Sequence, residues 1–167
     1  MKYTSSEAGK LLKKLNEEHL SILVREDNGK EFLAAVGESV ESVRPDYSFE
    51  KTQSAISEIE TKIRKLKHAL NVFNATTVVP EFGMTIDEML VFIPQLTVRK
   101  NKLATMKDKL PKVREQSYTN SSVLDYRYLN YDVNAVAAEY EKVSDTLAKA
   151  QNALDAVNMT RTLEVDF

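Results

Sequence analysis

Cysteine is absent from this sequence, and glycine and proline occur only four times each. Without cysteine the chain has no disulfide framework, no thiolate nucleophile and no cysteine-ligated zinc or iron–sulfur site. A reducing compartment is therefore expected. The glycines are also scattered, so the chain lacks the glycine-rich backbone that cradles a phosphate in nucleotide-binding loops.

Long apolar runs are missing as well. No stretch reaches the roughly 18 consecutive apolar residues expected of a membrane span, and the first residues lack the apolar core of a signal peptide. We therefore predict a cytoplasmic protein with no membrane partner. The net charge is only −2 over 167 residues, so the whole molecule has no attraction to nucleic acid or anionic lipid. Binding to either would require a local patch of charge.

Recognisable catalytic and metal-binding patterns are lacking too. The two histidines, His19 and His68, stand in neither a His-x-x-x-His nor a Glu-x-x-His arrangement, and no G-x-S-x-G elbow is present. We favour a structural role for both histidines. The sequence thus predicts a non-enzymatic protein with no cofactor, and an enzyme with a carboxylate-bound metal is kept as a third hypothesis behind the two given below.

Helix-forming residues dominate what is present, in a composition that is 43% hydrophobic and 29% charged. Heptad seams and capping motifs predict four helices, over residues 5–26, 49–74, 86–110 and 133–158. Capping boxes at Thr4–Glu7 and Thr85–Glu88 mark the starts of the first and third helices. Because a chain of 167 residues fits one domain, we predict a single helical domain over residues 1–167.

The seams of the second and third predicted helices match when these helices fold back on each other across a short tip at residues 75–83. The fold class predicted from this match is mainly α, an antiparallel long-helix hairpin or coiled-coil bundle of about four helices. The register predicts four buried seam residues, Ile63, Leu66, Ile93 and Leu96. Lys100 and Lys107 also occupy seam positions, so their ammonium groups should reach solvent or lie near an open end.

A small β element is predicted near the C-terminal end of the chain. Residues 123–129 are rich in aromatic and β-branched side chains, and apolar residues alternate with polar ones over residues 162–167. We predict that these two segments pair with each other. The polar residues 111–122 predict a loop, and the weak pattern over residues 28–47 leaves the structure of that segment open.

The strongest charge feature is the stretch from Arg99 to Arg114, which holds seven basic residues against the single acid Asp108. One hypothesis makes it, with the nearby tyrosines, a surface for nucleic acid or an acidic partner. The other, which we favour, pairs it with acids of the second helix and its neighbours, such as Glu58 and Glu60, and packs the tyrosines on a core. The candidate interaction surface comprises Arg99, Lys102, Lys109, Lys112, Arg114, Tyr126, Tyr128 and Tyr131.

Several segments together carry a family resemblance. They are IRKLKHALNVFN at residues 63–74, MTIDEML at 84–90, NYD at 130–132, and the later series Gln151, Leu154, Asp155 and Asn158. This combination resembles a family of small uncharacterised bacterial helical proteins, some of whose relatives carry the label septicolysin. The resemblance covers nearly the whole chain, implies a single helical domain and brings no catalytic residues. A pore former is not expected, since no membrane-inserting segment is present.

Two functional hypotheses of different classes follow. The first is a non-enzymatic coiled-coil oligomerisation or scaffold protein that self-associates as a dimer or higher oligomer, because seams fill three helices while no catalytic pattern is found. The alternative is a nucleic-acid-binding accessory protein that uses the basic face Arg99–Arg114.

Overall fold

The computed structural model describes residues 1–115 and 125–167. These residues are mainly helical and carry three short antiparallel strand pairs, which confirms the predicted fold class. In chain order the elements are β1 (Lys2–Thr4), α1 (Ser5–Gly29), α2 (Val40–Val43), α3 (Phe49–Thr76), β2 (Val78–Val79), β3 (Met84–Thr85), α4 (Ile86–Lys107), β4 (Lys112–Arg114), β5 (Tyr126–Tyr128), α5 (Val133–Thr160) and β6 (Thr162–Glu164).

These elements form two compact units. Unit 1 consists of Met1–Thr76 and Val157–Phe167, and unit 2 consists of Thr77–Ala156. The helical hairpin predicted from the second and third helices would pair α3 of unit 1 with α4 of unit 2. Both this hairpin and the single domain stay predictions. Of its four seam residues, Leu66 and Leu96 are buried whereas Ile63 and Ile93 are half-buried.

The core of unit 1 lies where α1 packs against α3. The seam residues Leu15, Ile59, Leu66 and Phe73 are buried, and so is Ala8. This pattern follows from the amphipathic sequences of the two helices, each of which places one apolar stripe towards the core. No helix within the described residues is both long enough and apolar enough to cross a membrane.

Unit 1 also brings the two ends of the chain together. Strand β1 pairs antiparallel with β6, with Tyr3 opposite Leu163, and the N-terminal amine donates to the carbonyl of Val165 over 2.7 Å. Leu163 and Val165 are buried while Glu164 is exposed, as the alternation over residues 162–167 predicts. The predicted partner of this strand is nevertheless wrong, because residues 2–4 take the place assigned to residues 123–129.

The segment left open by the sequence, residues 28–47, contains little regular structure beyond the four-residue helix α2. The chain then returns to α1, where the Tyr47 hydroxyl donates to a carboxylate oxygen of Glu26 over 3.0 Å and Gln53 donates to the same oxygen over 2.8 Å. Burial and the neighbouring carboxylate of Glu26 raise the pKa of Tyr47. Gly29 leaves room for Tyr47, because a Cβ atom at position 29 would lie only 3.3 Å from the Cβ of Tyr47.

Unit 2 begins with a tight β-hairpin, which lies in the segment predicted as a tip, although residues 75 and 76 of that segment still belong to α3. Val78 pairs with Thr85 and Val79 with Met84, and the turn closes at Gly83, whose φ of 64° is the left-handed conformation that favours glycine. Helix α4 runs through Pro94 and ends at Lys107, three residues before the predicted end. The start of α5 is capped by Asp132, whose carboxylate accepts from the amide of Asn134 over 2.8 Å.

Both predicted capping boxes are confirmed. The Thr4 amide donates to the Glu7 carboxylate over 2.8 Å, and the Glu7 amide donates to the Thr4 hydroxyl over 3.2 Å. Thr85 and Glu88 repeat the arrangement at 2.7 and 3.2 Å. In each box, the hydrogen bond donated by the threonine amide is the main cause that lowers the pKa of the glutamate.

The lowered pKa of Glu88 predicts how the α4 cap responds to acid. Its value in the folded chain lies below the ordinary value of 4.5, so the stabilisation is fully present above pH 4.5 and is lost as the pH falls through the folded value. Glu88→Gln keeps a side chain that can accept the hydrogen bonds but cannot titrate. We expect its melting temperature to fall less than that of the wild type between pH 6 and roughly pH 3, measured by circular dichroism. Equal losses in the two proteins would contradict the cap assignment.

Candidate functional site

The candidate site is a two-stranded ribbon formed by β4 and β5 in unit 2. The ladder pairs Lys112 with Tyr128, Val113 with Arg127 and Arg114 with Tyr126. Its two ends are extended by backbone hydrogen bonds from Glu115 to Asp125 and from Leu129 to Pro111. The predicted strand over residues 123–129 is confirmed at Tyr126–Tyr128, and Val123 and Leu124 lie outside the described residues.

The loop predicted for residues 111–122 is wrong at Lys112–Arg114, which form β4. In this segment a β-branched valine stands between two long cationic side chains. Its backbone pairs with the strand Tyr126–Tyr128, where tyrosines lie opposite the cations. The rest of that predicted loop, from residue 116 to residue 122, lies outside the described residues.

The two faces of the ribbon differ in chemistry because successive side chains of a strand point to opposite sides. One face, here called the aromatic face, carries Lys112, Arg114, Tyr126 and Tyr128 and no acidic residue. The other, here called the ion-paired face, carries Val113, Glu115, Asp125 and Arg127, and Arg127 forms an ion pair with Glu115. That contact raises the pKa of the Arg127 guanidinium. The acids of the ribbon therefore lie on the side that faces away from Lys112 and Arg114.

The tyrosines of the aromatic face are exposed, with 44% of Tyr126 and 63% of Tyr128 accessible to solvent. Their ring centroids lie 6.5 Å apart and the planes are tilted by 50°. The Lys112 ammonium lies over both rings, 4.2 Å from the centroid of Tyr126 and 5.3 Å from that of Tyr128. The interpretation that packs these two rings on a core is therefore wrong.

The other predicted site residues are divided between free and engaged side chains. Lys102 and Lys109 are exposed, and the structure shows no salt bridge for either of them among residues 1–115 and 125–167. Arg99 donates to the carboxylate of Glu139 on α5 over 2.5 Å. Tyr131 is half-buried, and its hydroxyl donates to the carbonyl of Met106 over 3.1 Å. Tyr131 thus ties the start of α5 to the end of α4.

The acids expected to pair with the basic stretch have other partners. Glu60 lies 3.4 Å from His19 and Glu41 forms an ion pair with Arg44, whereas Arg99 pairs with Glu139. The coiled-coil register that placed Arg99 beside Glu58 and Glu60 left out helix α5, whose Glu139 pairs with Arg99 inside unit 2. The favoured interpretation is thus corrected for Arg99, whose carboxylate partner among the described residues is Glu139.

The seam lysines Lys100 and Lys107 lie beside an aromatic ring. Their ammonium groups lie 5.8 and 4.6 Å from the ring centroid of Tyr140 on α5. A half-exposed ammonium over a tyrosine face keeps contact with water while its stem covers apolar surface. This arrangement explains how two cations occupy seam positions of α4.

A second feature, not found by the sequence analysis, lies on the outer side of α4. Leu90, Val91 and Val98 are exposed by 49%, 58% and 69%, and Pro94 between them is exposed as well. These four residues, here called the outer stripe, share one side of the helix because they recur at spacings of three, four and seven or eight. The opposite side of the same helix turns is buried at Ile86, Met89 and Leu96.

The available signal for the outer stripe is the uninterrupted apolar run Met89–Pro94. An amphipathic helix with one buried side has apolar residues at every third or fourth position, whereas a helix that is apolar all round is usually covered on every side. The heptad assignment used only one side of α4 and therefore left Leu90 and Val91 without a role.

The structure gives no arrangement that resembles a metal centre within the described part of the chain. Groups of three or more potential ligands among histidine, aspartate and glutamate are not found there. His19 lies at ion-pair distance from Glu60, but its Nε2 atom is buried and makes no hydrogen bond with suitable geometry. This contact helps to fix α1 against α3 in unit 1.

Comparison with known proteins finds a similar fold but no known activity. No family model matches the chain, and no curated protein matches it either. The predicted resemblance to small bacterial helical proteins thus stays a prediction. A solved structure described as a functionally unknown conserved protein from Corynebacterium diphtheriae is similar at a TM-score of 0.60 and 15% sequence identity, over 98% of this chain and 100% of the other. The chain therefore shares its fold with a protein of unknown function.

Proposed function

We propose that this protein is a non-enzymatic, self-associating helical scaffold and that two copies pair through the outer stripe of α4. The observation that carries the proposal is the exposure of Leu90, Val91 and Val98 on a helix whose other side is already buried. A contiguous apolar stripe in water is unfavourable, and covering it releases the water that it orders. The proposal assigns the protein no catalytic residue, no cofactor and no membrane partner.

A second copy of this chain is the occupant that the charges of α4 favour. Asp87 stands in the first turn of the helix, and Lys102 stands beyond the stripe on the C-terminal side. An antiparallel arrangement about a twofold axis near Pro94 places Leu90 opposite Val98 of the second copy. The same arrangement brings Asp87 of one copy near Lys102 of the other, and a twofold axis makes this contact twice.

The end charges of α4 support the same orientation. In α4, acidic residues stand at the N-terminal end, where the helix dipole is positive, and basic residues stand at the C-terminal end, where it is negative. Antiparallel packing sets each acidic end beside a basic end, while parallel packing would place like charges together. The stripe from Leu90 to Val98 is about 12 Å long at the helical rise per residue. A short interface of this kind predicts an association that depends on protein concentration.

The mass in solution tests the proposal. Light scattering across a tenfold dilution should give a mass above the 18.9 kDa of one chain for the wild type. The double variant Leu90→Lys and Val98→Lys should shift to the mass of one chain, because two ammonium groups per copy cannot be desolvated in the interface. Val72→Lys is the matched control, since Val72 is an exposed valine of α3 outside the stripe. A wild-type mass of 18.9 kDa at every concentration would overturn the proposal.

A charge reversal tests the orientation of the two copies. Asp87→Lys alone and Lys102→Asp alone should each weaken association, because each places like charges opposite each other twice. The double variant should recover most of the loss, since it restores opposite charges with their positions exchanged. Weakening without recovery would show that α4 pairs in another orientation or that these residues act only within one chain.

A further inference from the structure

We propose that the aromatic face of the β4–β5 ribbon binds single-stranded nucleic acid. This inference goes beyond the proposed scaffold function and rests on different residues, because the aromatic face and the outer stripe of α4 share none. Failure of either proposal therefore leaves the other standing.

The first argument is the accessibility of the two rings. A tyrosine in a strand ordinarily covers a core with one ring face, whereas an exposed pair of rings is accessible to a ligand. Tyr126 and Tyr128 are both exposed, and their centroids are separated by 6.5 Å. Unpaired bases stack on such rings whatever their sequence, because every base has a π face.

The second argument is the distribution of charge on the ribbon. Lys112 and Arg114 lie on the same face as the tyrosines, while Glu115 and Asp125 lie on the other face, where Arg127 pairs with Glu115. A polyanion that approaches the aromatic face thus meets two cations and no carboxylate of the ribbon. The Lys112 ammonium lies over both rings, so the aromatic face carries positive charge together with its π surface.

The third argument separates single strands from duplex. Stacking on tyrosine requires bases that are not already stacked and paired, and a face of four side chains is too small to follow a groove. The net charge of −2 gives no general attraction to a phosphate backbone, so two local cations are not enough for tight duplex binding. The combination of rings and few cations fits a short stretch of single strand.

Fluorescence anisotropy with the full chain and an end-labelled oligothymidylate tests the proposal at low salt. Binding should weaken with salt, with a logarithmic slope of about −1.4 if Lys112 and Arg114 each neutralise one phosphate of a single strand. The double variant Tyr126→Leu and Tyr128→Leu should weaken binding by about tenfold or more, because leucine keeps the apolar strand but removes the stacking surface. If that variant does not fold by circular dichroism, Tyr128→Leu alone should still lose at least about fivefold.

The ribbon supplies a matched control in its two arginines. Arg114→Ala and Arg127→Ala remove the same side chain and charge from the same ribbon, but only Arg114 belongs to the aromatic face. We expect Arg114→Ala to weaken binding several-fold and Arg127→Ala to bind like the wild type.

Three outcomes would overturn the proposal. The first is the absence of binding to the single-stranded probe, and the second is an equal loss in the two arginine variants. The third is tighter binding of a duplex probe, or of polyglutamate, with no dependence on the tyrosines. This last result would assign the cations to a duplex or to an acidic protein instead.

Discussion

Leu66→Ala should lower the free energy of unfolding by about 2–5 kcal/mol, one of the two largest effects that we expect for a single substitution in this chain. Leu66 lies in the middle of α3 with none of its surface exposed, in the core that unit 1 forms between α1 and α3. The substitution removes buried methyl and methylene groups, and the surrounding helices relax only partly into the space left behind. Urea denaturation followed by circular dichroism measures the change.

Two variants of the same helix serve as controls for Leu66→Ala. Lys67→Ala alters an exposed neighbour and should change the free energy of unfolding by less than about 0.5 kcal/mol. Ile63→Ala should cost less than Leu66→Ala, because Ile63 is only half-buried. A cost at Ile63 equal to or larger than that at Leu66 would contradict the difference in burial between these two residues.

Local sequence signals predicted the helices well. Thr4 with Glu7 and Thr85 with Glu88 each bring a hydroxyl acceptor and a carboxylate to the first turn, and this chemistry acts within four residues. Its outcome depends little on the rest of the fold, so α1 and α4 begin where the capping boxes predict. The end of α4 was predicted less well, since no comparable side-chain cap marks Lys107.

Strand pairing was beyond what the sequence specifies. The alternation over residues 162–167 correctly predicts a strand with Leu163 buried, but alternation fixes only the two faces of a strand and says nothing about its partner. Lys2–Thr4 and Lys112–Arg114 are three-residue segments with no period long enough to recognise, so neither β1 nor β4 was predicted. Both partners therefore had to come from the three-dimensional structure.

The candidate site shows the same division between local and long-range information. The sequence placed Lys112, Arg114, Tyr126 and Tyr128 in one list of candidates, but their common face depends on the register of two strands that are distant in sequence. Arg99 and Tyr131 appeared equally suitable, yet contacts with Glu139 and with the Met106 carbonyl engage them in the structure. Partners of this kind lie on other elements and cannot be derived from spacing.

Met89→Ala in α4 is expected to cost about 2–5 kcal/mol as well, and it tests how the two units unfold. Met89 has none of its surface exposed and belongs to unit 2, whereas Leu66 belongs to unit 1. If residues 1–167 unfold as the single domain that the sequence predicts, calorimetry should give one transition with equal calorimetric and van't Hoff enthalpies. Either substitution should then move that one transition to lower temperature.

The alternative outcome for Met89→Ala is equally clear, because units that unfold separately should give two transitions. Leu66→Ala would then lower only one of them and Met89→Ala only the other, since each core loses its own buried atoms. Gln95→Ala, an exposed change on the same helix as Met89, should leave every transition within about 1 °C of the wild type. If one transition is seen, and both core variants lower its temperature while Gln95→Ala does not, residues 1–167 unfold cooperatively. Two transitions with separate responses would overturn the single-domain prediction.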